Sequence, residues 1–218
     1  MIEARGIELR FDAQRALAAV DVAVADTGLV ALTGHSGSGK SSLLHVLSGL
    51  RLPTGGDVLL DGRPLRERSS AELRGEVFAF IFQDHFLVPY LSAYENALAG
   101  VARPGPADRE RTLALLADLG LGAVAHRRAS RLSGGERQRV AVARGLVRGA
   151  RYLFADEPTA ALDRASADRV FGLLRRSARE RAVVLVTHDA QGLEIADRFI
   201  ELRDGRIVED RAASAPSL

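Results

Sequence analysis

Gly34-His35-Ser36-Gly37-Ser38-Gly39-Lys40-Ser41 lies between an apolar run at 29–33 and a helical series of apolar residues, Leu43, Leu44, Val46, Leu47 and Leu50. The stretch fits G-x-x-x-x-G-K-[ST] at a strand-to-helix junction, the setting that gives this pattern its chemistry. Its glycines let successive backbone N–H groups converge on phosphate oxygens, and the helix N-terminus adds the positive end of its dipole. Lys40 supplies a compact ammonium for the outer phosphates, and the Ser41 hydroxyl is a candidate Mg²⁺ ligand. Of 30 basic residues, Lys40 is the only lysine. A point charge on a slim stem suits a phosphate loop in a way that a planar guanidinium does not. Residues 34–42, Ser42 included, therefore read as a nucleotide-phosphate site.

Working outward, residues 7–11 and 20–24 alternate apolar and polar, 58–60 run into the Asp61-Gly62 turn, and 78–82 form a buried strand. The β signal then fades. Helices are predicted over 93–101 and 109–119, separated by Arg103-Pro104-Gly105-Pro106. A helix over 136–147, a strand over 152–155, a helix over 167–179, a strand over 182–187 and a last helix and hairpin restore the β/α rhythm. The alternation predicts an α/β fold with a mostly parallel sheet covered on both faces. We expect one domain over 1–211, a helical insertion at about 84–145, and a disordered tail at 212–218.

Composition narrows the function classes. The chain has 218 residues, 47% of them hydrophobic, and a formal net charge of +2, which gives no global pull toward nucleic acid. The absence of cysteine excludes disulfides and thiolate metal sites. The five histidines are scattered, so a metal held by protein side chains alone is not expected. No run approaches the ~18 apolar residues of a membrane span, and the first residues lack the layout of a secretion signal. The expectation is a cytoplasmic chain, held at a membrane only through a partner.

Tyr152-Leu153-Phe154-Ala155-Asp156-Glu157 is an apolar strand ending in two carboxylates. Read alone it is an ordinary strand end with a capping acid. Beside the phosphate loop, Asp156 would hold Mg²⁺ and Glu157 would polarise an attacking water, because the C-terminal edge of a parallel sheet faces the ligand crevice. Leu132-Ser133-Gly134-Gly135-Glu136 opens a helix, with Ser133 as N-cap and two glycines exposing backbone N–H groups.

Together these motifs resemble the nucleotide-binding subunit of an ATP-binding cassette (ABC) transporter, over residues 2–210. The resemblance implies a P-loop NTPase core with an N-terminal antiparallel β subdomain, and an ATPase using ATP and Mg²⁺. It places Phe11 under the adenine ring, although a strand aromatic alone reads as sheet core. It makes Gln83 the Q-loop glutamine and a Mg²⁺ ligand with Ser41 and Asp156, Glu157 the catalytic carboxylate, and His188 the switch histidine. It further implies a homodimer, or a heterodimer with another ATPase subunit. In it, Ser133, Gly134, Gly135, Glu136 and Asp163 of one subunit meet the ATP held by the other. The remaining partner is a separate membrane permease, approached from the cytoplasmic face, with residues 84–91 forming its groove or else the insertion's own core.

Phe80-Ile81-Phe82-Gln83 and Tyr94-Glu95-Asn96 are similar to the lipoprotein-releasing, macrolide-exporting and cell-division branch. Thr159-Ala160-Ala161-Leu162-Asp163 departs from that branch's Thr-Gly-Asn-Leu-Asp. The competing reading is a cassette that tethers a division-machinery or other non-transport partner. A DNA-repair or translation ATPase lacks support, since there is neither a coiled coil nor a second phosphate loop.

Overall fold

The computed structural model describes residues 1–12, 14–73 and 77–213. Strands β1 (Ile2–Phe11), β2 (Gln14–Val24), β4 (Gly55–Leu60) and β5 (Arg63–Pro64) form an antiparallel sheet in the order β2-β1-β4-β5. The second sheet is β10-β9-β3-β8-β7-β6, built from β3 (Gly28–Thr33), β6 (Phe78–Ile81), β7 (Tyr152–Asp156), β8 (Ala182–Val186), β9 (Arg198–Arg203) and β10 (Arg206–Ala212). It is parallel from β9 through β6, and only β10 runs antiparallel.

Alternation along the central strands divides their side chains between two cores. Leu29, Ala31, Val183 and Leu185 face one side, while Val30, Leu32, Val184 and Val186 face the other. Helix α1 (Lys40–Leu47) lies in the second core, between the two sheets. Its Leu43, Leu44, Val46 and Leu47 are at most 1% exposed. Burial of each is worth about 1.5–3 kcal/mol, so the helix that starts at Lys40 has a firmly held axis. Besides the short α2 (Ser70–Glu72), the remaining helices are α3 (Ala93–Leu98), α4 (Pro106–Asp118), α5 (Gly134–Val147), α6 (Arg164–Ser177) and α7 (Ala190–Glu194). The first core holds α3 to α6 against the sheet's other face.

Several boundaries differ from expectation, each for a local reason. β1 and β2 are about twice the predicted length, because register shifts near Gly6 (φ 57°) and Ala19 (φ 53°) break the period-2 pattern. α4 begins at Pro106, inside the expected separator: proline suits the first helical turn, and Asp108 Oδ2 accepts from Gly105 N–H at 2.9 Å. α6 begins at Arg164, capped by Asp163. The expected tail is corrected at its start, since Ala212 ends β10 and Ala213 N–H donates to the Asp197 carbonyl at 2.8 Å. Residues 214–218 lie outside the described residues. No helix among the described residues is long and apolar enough to cross a membrane.

Candidate nucleotide site

The loop from Gly34 to Gly39 is fixed by backbone packing that excludes side chains. A Cβ at Gly34 (φ 133°) would stand 2.1 Å from the Leu202 carbonyl oxygen, and one at Gly39 (φ 106°) would stand 2.7 Å from that of Ala16. From the far side, the β9–β10 turn closes on the loop: Gly205 N–H donates to Ser38 O at 3.0 Å, and Ala18 N–H donates to Gly205 O at 2.9 Å. α1 therefore starts with no side-chain cap and no acid in its first turn. Its uncapped N–H groups and positive end are open to an anion. The Ser38 hydroxyl is fully buried without a hydrogen-bond partner. A glycine cradle, an uncapped helix start and an orphaned hydroxyl together fit a phosphate group.

The loop forms one wall of a cleft of about 600 Å³ that also includes Phe11, Gln83, Glu157 and His188. Lys40 is 6% exposed, and its ammonium donates to the carbonyls of Gly34 and His35 at 2.9 Å each. Burial lowers its pKa, against the opposing pull of Glu157 and Asp156. Glu157 follows the end of β7 with a left-handed backbone (φ 46°), held by its N–H donating to Val186 O at 2.9 Å. Burial pushes its carboxyl pKa upward, as a proton acceptor for neutral-pH chemistry requires. His188 Nε2 lies 3.5 Å from Glu157 Oε1.

Ser41 Oγ donates to Asp156 Oδ1 at 3.2 Å, and Ser41, Gln83 and Asp156 line an adjoining cavity. Three oxygen donors are the chemistry a hard divalent cation takes. No group of three or more His, Cys, Asp or Glu able to hold a metal occurs among the described residues. An ion here would complete its shell with phosphate oxygens and water, as Mg²⁺ does in such sites.

Of the predicted site residues, Phe11, Ser36, Gly37, Gly39, Lys40, Ser41, Ser42, Gln83, Glu157 and His188 line the main cleft. Gly34, His35 and Ser38 shape its loop from behind. Phe11 is 40% exposed with Arg51 over its ring at 4.4 Å, which overturns the sheet-core alternative. Ser133, Gly134, Gly135, Glu136 and Asp163 do not line the cleft. They stand together elsewhere: Ser133 and Glu136 form a capping box at the start of α5, and a Cβ on Gly135 would meet Ala161 and Leu162 beside Asp163. Sequence reasoning missed Gln14, Ala16, Ala160 and Val186, which also line the cleft. None carries a chemical signature, and each arrives through the fold alone.

A family profile described as ABC transporter matches residues 17–160. The chain belongs to the ABC transporter family. It is 46% identical over 200 residues to the lipoprotein-releasing system ATP-binding protein LolD of Anaeromyxobacter dehalogenans, covering 88% of this chain and 84% of that protein. Identity is 44% over 210 residues with the macrolide export ATP-binding/permease protein MacB 1/2 of Paracoccus denitrificans. That match covers 93% of this chain, which spans only 31% of that relative's length. Both relatives fall in the branch named by the sequence resemblance. The dimeric post-hydrolysis state of the ATP-binding cassette MJ0796 bound to ADP and Pi is 31% identical, with a TM-score of 0.89 over 99% of this chain and 100% of that one. A second dimeric MJ0796 structure gives a TM-score of 0.88 at 30% identity. This chain is an ABC ATPase with the P-loop NTPase fold.

Proposed function

We propose that residues 1–211 act as one ATPase unit, with the helical part at 84–145, that dimerises around two ATP and drives a separate membrane permease of the lipoprotein-release or macrolide/peptide-export type. One observation supports the dimer above others. Lys40, Gln83, Glu157 and His188 share a cleft that the Ser133-Gly134-Gly135 segment of the same chain does not line. A second copy would bring that segment, with Glu136 and Asp163, to the outer phosphate. Every catalytic position is present in this chain, which permits a homodimer as well as a heterodimer with another ATPase subunit.

In this reading Phe11 stacks on the adenine, and the 34–42 loop with Lys40 binds the phosphates. Ser41, Asp156 and Gln83 would hold Mg²⁺, which supplies charge neutralisation at the β- and γ-phosphates. Glu157 takes a proton from the attacking water, and His188, 3.5 Å from that carboxylate, holds the water and the terminal phosphate in line. The permease would seat on the surface around Phe86 and Tyr90, which are 66% and 73% exposed, while neighbouring Leu87 packs into the core. In this reading the subunit is peripheral, held through the permease at the cytoplasmic face of the inner or plasma membrane.

The test is co-purification of tagged Glu157→Gln with MgATP from detergent-solubilised membranes. A multi-span permease with a large extracytoplasmic domain is the expected companion. A partner without membrane spans, or a soluble dimer alone, would transfer the assignment to a division-machinery or other non-transport module.

A further inference from the structure

Gln138 lies one and a half turns into α5 and is 2% exposed, yet none of the nucleotide chemistry above uses it. Its Nε2 donates to the Pro158 carbonyl at 2.9 Å in a bond buried from solvent. Pro158 directly follows Glu157, whose left-handed backbone fixes where the carboxylate points. The same Gln138 side chain is hydrogen-bonded to the His85 ring. One buried side chain thus ties α5 to the Glu157–Pro158 turn, through its nitrogen, and to the loop after Gln83.

Two further contacts strengthen the loop arm. Arg144, also on α5, donates from Nη2 to His85 O and from Nη1 to Phe86 O, both at 2.7 Å. The loop that exposes Phe86 is therefore fastened to α5 by backbone and side chain alike. Among the described residues, the arm to the Glu157–Pro158 turn is the single Gln138–Pro158 bond. Without the Gln138 donor, a buried carbonyl next to the catalytic carboxylate is left unpaired.

We propose that Gln138 is a positioning residue for hydrolysis, locking the Glu157–Pro158 turn to α5 and to the loop after Gln83. Movement of that loop then alters the rate of the chemical step and leaves ATP binding untouched. The proposal rests on Glu157 as the catalytic carboxylate.

The test is steady-state MgATP hydrolysis by the full chain, with thermal unfolding recorded for each variant. Gln138→Met keeps the length and removes both polar ends. Gln138→Glu keeps the size of the side chain and loses the donor to Pro158. Both lower kcat by about tenfold with KM within about twofold, because the attacking geometry shifts while the phosphate loop does not. His85→Ala lowers kcat less, and the His85→Ala/Gln138→Met double variant is no slower than Gln138→Met alone. Should Gln138→Met fail to fold, Gln138→Glu and His85→Ala decide the matter. A kcat within about twofold of wild type in the folded Gln138 variants, or a KM that rises as kcat falls, overturns the proposal. Fully multiplicative effects in the double variant overturn the link to the loop. Glu157→Gln separates the two readings: if it turns over normally the base assignment fails whatever Gln138 does, and if it is inactive while Gln138→Met is normal, only the present proposal fails.

Discussion

Two Asp-Gly turns in this fold provide a matched pair. Asp61-Gly62 joins β4 to β5, and Asp204-Gly205 joins β9 to β10. Their φ angles are 53° and 77° in the first, 50° and 74° in the second. Gly→Ala at either site costs the left-handed strain of an L-residue, about 1–2 kcal/mol. Around Gly62 an added Cβ meets nothing within 4 Å, whereas at Gly205 it meets Ala16 O at 2.7 Å and Ala16 C and Leu17 Cα at 3.0 Å. All three are backbone atoms, so the turn must retreat by roughly half an ångström, an overpacking cost of about 1–3 kcal/mol. Gly39 packs against the same Ala16 carbonyl, at 2.7 Å from its own added Cβ, and Gly205 N–H holds Ser38 O. Displacement of the turn is therefore passed to the phosphate loop. Urea unfolding should show a loss of about 1–2 kcal/mol for Gly62→Ala and about 2–5 kcal/mol for Gly205→Ala. ATP affinity should be unchanged in the first and about tenfold weaker in the second, equivalent to about 1.4 kcal/mol of binding energy. Equal destabilisation, or unaltered ATP affinity in Gly205→Ala, would refute the argument that this turn braces the loop.

Asn96 is 2% exposed, accepts from Val88 N–H at 2.7 Å, and donates to the carbonyls of Val88, Leu91 and Ser92 at 3.0–3.2 Å. Asn96→Ala should lower unfolding free energy by about 2–4 kcal/mol through the groups left unpaired, and a loss below about 1 kcal/mol would show that the loop finds other partners. Arg151 bridges Asp26 and Asp61, holding the Asp61 carboxyl at about 2 and that of Asp26 lower still. Depressed carboxylates contribute stability above their unfolded pKa of about 3.9, and lose it as pH falls through the folded values. These side chains are 37–48% exposed, so screening limits the cost of Arg151→Met to about 1 kcal/mol at pH 6. The stability gap between the two proteins should shrink as pH is lowered from about 4 through 2 and close only below that, and a gap as large at pH 2 as at pH 6 would rule out the ion pair as its source.

What was legible in the sequence is what depends on neighbouring residues. The phosphate loop declares itself because its glycines, lysine and helix start are contiguous, and Ser133 because a cap and its Glu136 partner lie three residues apart. The alternation of strands with helices anticipated a parallel sheet covered on both faces, and the unbroken apolar runs of β3 and β8 fit strands buried on both sides. The period-2 pattern failed where a bulge changes parity, as at Gly6 and Ala19. It also failed for surfaces made at long range: nothing in the sequence near residue 16 or 205 announces that both brace Gly39. Gln138 resembles any polar residue on a helix until the fold brings Pro158 and His85 to it. Asp163 was assigned to the interface between copies, and its capping of α6 through Ser166 was not anticipated.

The central claim is that each ATP site is completed by a second copy of the chain. Mixing two inactive variants tests it directly. Lys40→Ala destroys the phosphate loop, and Gly135→Asp places a negative side chain on the segment meant to face the partner's phosphate. A mixed dimer would contain one site with intact Lys40 from one copy and intact Ser133-Gly134-Gly135 from the other. The account predicts ATP turnover in the mixture that neither variant shows alone, rising with total protein concentration. A mixture as inactive as its components, with both variants folded, would contradict it.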